Sequence, residues 1–262
     1  MSGRVIDLNA DLGEGMGDDA AMMAVVTSCS VACGGHAGDE ASMVRTVRLA
    51  RDCGVAVGAH PSYPDKEGFG RRSPRLPLNG GALADLEASL TGQILALREV
   101  AEGEGVPLAH LKAHGALYND AARHEALATL LVGLAARLLP GASLYGPPGA
   151  ATEQAAAAAG VVHVAEGFAD RAYRADGTLV PRSDPGAVVA RAARPGRAVR
   201  LALTGTLEAQ EGGTVSLPVR TICLHGDAAG AGAGARAVRA ALQAAGVLVA
   251  APGRRTGPGG HG

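Results

Sequence analysis

DLNADLGEG, spanning Asp7 to Gly15 directly after Val5-Ile6, reads as a first β-strand running into a glycine-rich turn. Side chains along a strand alternate between its faces, so Ile6, Leu8, Ala10 and Leu12 point one way and Asp7, Asn9 and Asp11 the other. Two settings suit such a strand: a barrel whose polar face looks inward and up to a site, or a sheet edge with that face in water. The later strands favour the barrel, because they end in a His, Lys or Glu of their own.

Working outward, SCSVACGGHAG (Ser28 to Gly38) is a small-residue strand closing on two glycines and His36, and VAVGAH (Val55 to His60) closes on His60-Pro61. Leu108 to His114 runs into KAHGALYN, Ser143 to Gly146 is a short strand, Val161 to Ala165 leads into EGFADRAY, and Thr221 to Leu224 ends in His225-Gly226-Asp227. Helical spacing fills the gaps. Asp39 caps a helix with Met43, Val47 and Ala50 on its stripe, and Leu86, Leu90, Ile94, Leu97 and Val100 follow Asp85 at intervals of three and four. Further helices are expected over 121–139, up to Gly160, over 185–207 with a break near Pro195-Gly196, and over 231–245, with a hairpin or arm over 207–219. The loop containing PDKEGFGRR, Pro64 to Arg72, is long enough for a binding loop.

Strands alternating with helices about seven times imply an α/β fold with a parallel sheet, and at 262 residues a closed βα barrel is the natural form. One domain over 1–250 with a disordered tail over 251–262 is expected. In such barrels the active site lies at the C-terminal ends of the strands. His36, His60, His114 and His225 share a strand-end position beside glycine or proline, and with Asp11 they form the candidate catalytic set. Asp7, Asn9, Glu14, Lys112, Tyr118, Glu166, Asp170, Arg171, Arg182 and Asp227 are the candidate substrate-binding residues. His110, His163, His124 and His261 read as structural. Carboxylates among strand-end histidines also suit a divalent metal, although no HxxxH or HExxH pair fixes its ligands.

Composition narrows the partners. A net charge of -1 and the absence of a basic run exclude a nucleic-acid or anionic-lipid footprint. Aromatics are 2% of residues and Trp is absent, which argues against a sugar platform. Lys66 and Lys112 are the sole lysines, so a lysine inside a motif stands out. Cys29, Cys33, Cys53 and Cys223 show no CxxC pairing and are expected reduced, with Cys33 and Cys223 as packing residues without a basic neighbour. No signal peptide or apolar span is visible, so a cytoplasmic protein is expected. No GxxxxGK[ST] is present.

Taken together and in order, DLNADLGEG, ACGGHAG, GAHPSYPD, GFGRR, KAHGALYN, FADRAY, LVPR and CLHGD resemble the LamB/YcsF family from about Asp7 to Ala245. That resemblance implies a seven-stranded βα barrel related to polysaccharide deacetylases. It also implies the A component of an ATP-dependent 5-oxoprolinase, a hydrolase opening the lactam of 5-oxo-L-proline to L-glutamate with B and C partner subunits. ATP use is expected to lie with those partners, which phosphorylate the lactam oxygen. Asp11 or a strand-end His would then be general base and another His general acid, with Lys112, Arg171 and Arg182 holding phosphate or carboxylate oxygens. Ser30 and Ala113 depart from the family's usual Asn and Pro. Two rivals stay open: a metal-dependent deacetylase or amidohydrolase acting alone, and a non-catalytic substrate-binding subunit.

Overall fold

Val5–Leu12 forms β1, and the structure, a computed structural model that describes residues 4–226 and 230–253, pairs it on both sides. Its neighbours are β2 (Ser28–Ala32) and, across the closure, the strand Thr221–Cys223. An edge position is therefore excluded. Ile6, Leu8, Ala10 and Leu12 are buried against the surrounding helices, while Asp7 and Asn9 are equally buried on the opposite face. That polar face looks into the barrel.

The chain continues through β3 (Ala56–His60), β4 (Leu108–Lys112), β5 (Ser143–Gly146) and β6 (His163–Phe168). A short antiparallel hairpin follows, β7 (Thr206–Glu208) with β8 (Thr214–Ser216), before β9 (Thr221–Cys223). The order β1-β2-β3-β4-β5-β6-β9 closes on β1, every pairing is parallel, and a seven-stranded barrel results. A last strand, β10 (Leu248–Val249), pairs with the start of β1.

Helices wrap the outside: α1 (Asp19–Met23), α2 (Glu40–Cys53), α3 (Gly80–Gly103), α4 (Gly115–Ala121), α5 (Glu125–Leu138), α6 (Ala151–Ala159), α7 (Arg194–Thr204) and α8 (Ala231–Ala244). Local causes are clear for several. Asp39 and Ser42 form a reciprocal capping box for α2, and Gly54 ends it in the left-handed conformation. Among the described residues no helix is long and apolar enough to cross a membrane.

Three boundaries differ from the sequence reading. The helix expected over 121–139 is two helices, α4 and α5, and α4 starts immediately after the strand end at His114. The long helix begins at Gly80 rather than Asp85, because Asn79 caps it by accepting from the Ala82 amide. The helix expected over 185–207 is confined to Arg194–Thr204 behind a short 3-10 turn at Arg191–Ala193, and Pro195 does not break it but lies in its first turn, where a missing amide hydrogen leaves no intrahelical bond unmade. The expected tail lies, from residue 254 onward, outside the described residues.

Inside the barrel, small side chains and hydrogen bonds replace an apolar core. Asp7 at the lower end of β1 accepts from Thr27, Ser28, Thr221 and Tyr145. Above it, Ser30 bonds His110 at 3.1 Å, and the His110 ring stacks on Tyr145 at 4.1 Å. A Cβ on Gly58 would overlap the His110 ring, so only glycine fits the strand where that ring crosses. Burial, with the Lys112 charge nearby, lowers the His110 pKa to about 3 and keeps the ring neutral.

Candidate active site

The upper layer begins with Lys112, the last residue of β4. Its ammonium is 2% exposed and bonds Asp11 Oδ1 at 2.9 Å, Glu166 Oε1 at 2.8 Å and Asn9 Oδ1 at 3.2 Å. A buried ammonium survives only with partners of this kind, and here two carboxylates from β1 and β6 close on it. Burial opposes the charge, yet Asp11 and Glu166 outweigh it and raise the lysine well above its usual range. Asp11 shows the complementary effect: desolvation raises its carboxyl, but His60 and Lys112 overcome that and hold it well below the usual range. Asp11 is thus an ionised carboxylate, 14% exposed, at the floor of the site.

A cluster of imidazoles adjoins that floor. His60 ends β3, and its Nε2 lies 3.3 Å from Asp11 Oδ2 and 3.0 Å from His114 Nδ1. His36, in the loop after β2, bonds Glu14 Oε1 through Nε2 at 3.0 Å and stacks on the His114 ring at 3.6 Å with the planes 3° apart. Burial lowers the pKa of His36, and it lowers that of His114 further with His60 and His36 adding to it. His60 moves the other way: burial opposes its charge, but Asp11 more than offsets that desolvation. Phe69 packs edge-on against both His36 and His114. Its backbone carries a positive φ of 54° and aims its carbonyl at His114 Nε2, 2.9 Å away.

On the facing wall His225 Nδ1 bonds Asp170 Oδ2 at 2.8 Å, and the His225 ring stacks on Phe168 at 5.6 Å. Burial pushes the Asp170 carboxyl up, but the His225 interaction prevails and brings it to about 2. Arg171 turns its guanidinium onto the carbonyls of Ala187 and Val180. Between the walls lies a cavity of about 540 Å³, lined by Asp11, Glu14, His60, Lys112, His114, Tyr118, Arg171, Arg182 and His225 among others. A volume in this range suits a small-molecule ligand. Groups from Asp11 to His225, at opposite ends of the chain, therefore meet over one mouth at the C-terminal ends of the strands.

Not every expected residue lies there. Asp7 is at the opposite end of β1, locked by hydroxyl donors, and burial raises its carboxyl pKa. Asn9 and Glu166 are buried beneath the cavity and hold each other and Lys112. Lys112 has its donors turned toward Asp11, Asn9 and Glu166, which places it as the support of Asp11 and not as a clamp on substrate oxygens. Asp170 is covered and reaches the cavity through His225. Asp227 lies outside the described residues. Ser30 is occupied by His110 inside the barrel, and Ala113 lines the cavity.

Other contributors carry little mark in the sequence. Phe69 and Arg71 lie within GFGRR, where a long loop after a strand-end histidine is the available signal and neither side chain stands out. Arg123 and Phe168 also line the cavity; Phe168 opens the FADRAY stretch, whereas nothing in the local sequence marks Arg123. Contrary to expectation, Cys223 does have a basic neighbour, with Lys112 Nζ 3.3 Å from its sulfur. Burial nonetheless drives that thiol well above its ordinary pKa, so it stays an unreactive packing residue.

Comparison with known proteins supplies context for this geometry. The pattern described as the LamB/YcsF family matches residues 6–256. The chain is 46% identical over 256 residues to a protein from Symbiobacterium thermophilum named as the A subunit of 5-oxoprolinase, covering 95% of this chain and 96% of that one. The crystal structure of a lactam utilization protein from Thermus thermophilus superposes with a TM-score of 0.85 at 40% identity, over 94% of this chain and 99% of that one. A family 4 carbohydrate esterase from Streptomyces lividans, solved with acetate, shares the fold at a TM-score of 0.51 and 12% identity, over 94% and 91% of the two chains.

Proposed function

We propose that this chain, which belongs to the LamB/YcsF family, opens the lactam of 5-oxoproline to glutamate as the A component of an ATP-using enzyme with B and C partner subunits. The observation that carries the reading is the pairing of an ionised Asp11 on one side of the cavity with an Asp170-held His225 on the other. Lactam opening needs a proton acceptor for the attacking water and a proton donor for the departing ring nitrogen, and these two groups supply them.

A lactam carbonyl is resonance-stabilised and resists water. Phosphorylation of its oxygen by the partner subunits with ATP would activate it, in keeping with a chain that has no GxxxxGK[ST] of its own. Water then attacks the activated carbon while the Asp11 carboxylate accepts its proton. Lys112 holds that carboxylate ionised and aimed. As the carbon–nitrogen bond breaks, His225 protonates the nitrogen, which becomes the amine, and the carbon is left as γ-glutamyl phosphate; a second water then cleaves that acyl phosphate, releasing inorganic phosphate and glutamate. Arg71, Arg123 and Arg182 bring positive charge to the cavity wall where a carboxylate or phosphate group would lie.

Glutamate formation from 5-oxoproline with ATP, measured for this chain alone, for B and C alone, and for all three together, tests the reading. Turnover is expected only in the complete mixture. Turnover by the isolated chain without ATP would replace the reading with that of an amidohydrolase acting alone, and equal rates with and without this chain would refute it.

A further inference from the structure

Four successive strands each contribute one group to a single knot: Glu14 follows β1, His36 follows β2, His60 ends β3 and His114 follows β4. One donor atom from each lies within 4.8 Å of all the others. His36 Nε2 to Glu14 Oε1 is 3.0 Å, His60 Nε2 to His114 Nδ1 is 3.0 Å, Glu14 Oε1 to His114 Nδ1 is 3.4 Å, and Glu14 Oε1 to His60 Nε2 is 3.9 Å. A tetrahedral ion with bonds near 2.0 Å separates its ligand atoms by about 3.3 Å, and these four spacings fall on either side of that value.

The tautomers favour the same conclusion. His60 Nδ1 is 2.9 Å from the Lys112 carbonyl and His114 Nε2 is 2.9 Å from the Phe69 carbonyl, and a carbonyl accepts only from N–H. With its Nε2–H on the Phe69 carbonyl, His114 turns the Nδ1 lone pair toward His60 Nε2, 3.0 Å away, and His60 Nε2 itself faces both that lone pair and Asp11 Oδ2 at 3.3 Å. Metal-bound histidines are oriented in this way, with the outer nitrogen tied to a carbonyl and the inner one aimed at the ion. The His36 side chain is fully buried with Nε2 turned to Glu14 Oε1, while its outer Nδ1 has no hydrogen-bond partner among the described residues, so His36 lacks the carbonyl tie that His60 and His114 have.

We propose that Glu14, His36, His60 and His114 form a binding site for one divalent cation of the zinc class. Three imidazoles and a carboxylate favour zinc or cobalt over magnesium or calcium, which prefer oxygen donors. Zinc would supply Lewis acidity beside Asp11. The proposal does not rest on the lactam reading, because cation binding is measured without substrate or partner subunits.

The test uses the full chain, stripped with chelator and then titrated with zinc chloride by calorimetry and with cobalt chloride by visible absorption. One equivalent of either ion is expected, with the intense absorption of four-coordinate cobalt and a rise in Tm on zinc addition. His36→Asn and Glu14→Gln are each expected to weaken zinc binding about 100-fold or more, whereas His225→Asn, altered on the opposite wall, keeps it. If His36→Asn loses its cooperative melt, Glu14→Gln in its half-buried turn carries the comparison. Absence of zinc and cobalt uptake by the wild-type chain would overturn the proposal, as would wild-type affinity in a folded Glu14→Gln or His36→Asn.

Discussion

Asp11→Asn lowers kcat for 5-oxoproline opening by about 10²–10⁴-fold in the assembled enzyme, the usual worth of a positioned proton acceptor. The amide is nearly isosteric and its carbonyl oxygen still accepts from the Lys112 ammonium, which sits 2.9 Å from the native carboxylate. The fold is therefore retained, and the loss falls on kcat with KM little changed, because the missing interaction belongs to the transition state. Steady-state kinetics of the reconstituted variant, with its melting curve as control, measure this. Wild-type kcat in a folded Asp11→Asn protein would remove Asp11 from the chemistry and favour a role confined to substrate binding.

Lys112→Met produces the largest loss of stability expected of a single substitution here. The ammonium neutralises Asp11 and Glu166 together inside the barrel, and the Glu166 side chain is wholly covered. Methionine fills much of the same volume but leaves two carboxylates facing each other without a cation. Removing one partner of a buried ion pair costs about 3–5 kcal/mol. Denaturant unfolding should show that loss, and adding Glu166→Gln to Lys112→Met should recover part of it because one uncompensated charge disappears. Unchanged stability in Lys112→Met would mean that the triad does not hold the barrel closed.

The contrast between these two residues shows what a sequence displays and what it hides. The alternation in DLNADL places Asp7, Asn9 and Asp11 on one face, and the structure turns that face inward. Alternation does not separate their heights. Rise along the strand puts Asp7 among the Thr27, Ser28 and Thr221 hydroxyls at one end and Asp11 at the cavity, a difference set by which neighbours the register brings alongside. The glycine-flanked strand-end histidines are legible because glycine next to a polar group at a strand end is a local signal. The partners of Lys112 are not, since Asn9, Asp11 and Glu166 meet it only when the seven strands close. The knot of Glu14, His36, His60 and His114 has no short-range spacing motif for the same reason. Each member comes from a different βα unit, so only the barrel's closure writes the pattern. Phe69 is hidden differently: its role comes from a carbonyl aimed by an unusual φ, which no side-chain pattern records.

A crystal structure of this chain soaked with 5-oxoproline measures most directly whether the cavity is where the lactam sits. The account predicts the ring inside the cavity, its carbonyl carbon within one water of the Asp11 carboxylate and its ring nitrogen facing His225, with hydrogen-bond distances of about 2.6–3.2 Å. Lactam bound outside the cavity, or inside it with the carbonyl turned away from both Asp11 and His225, would contradict the account.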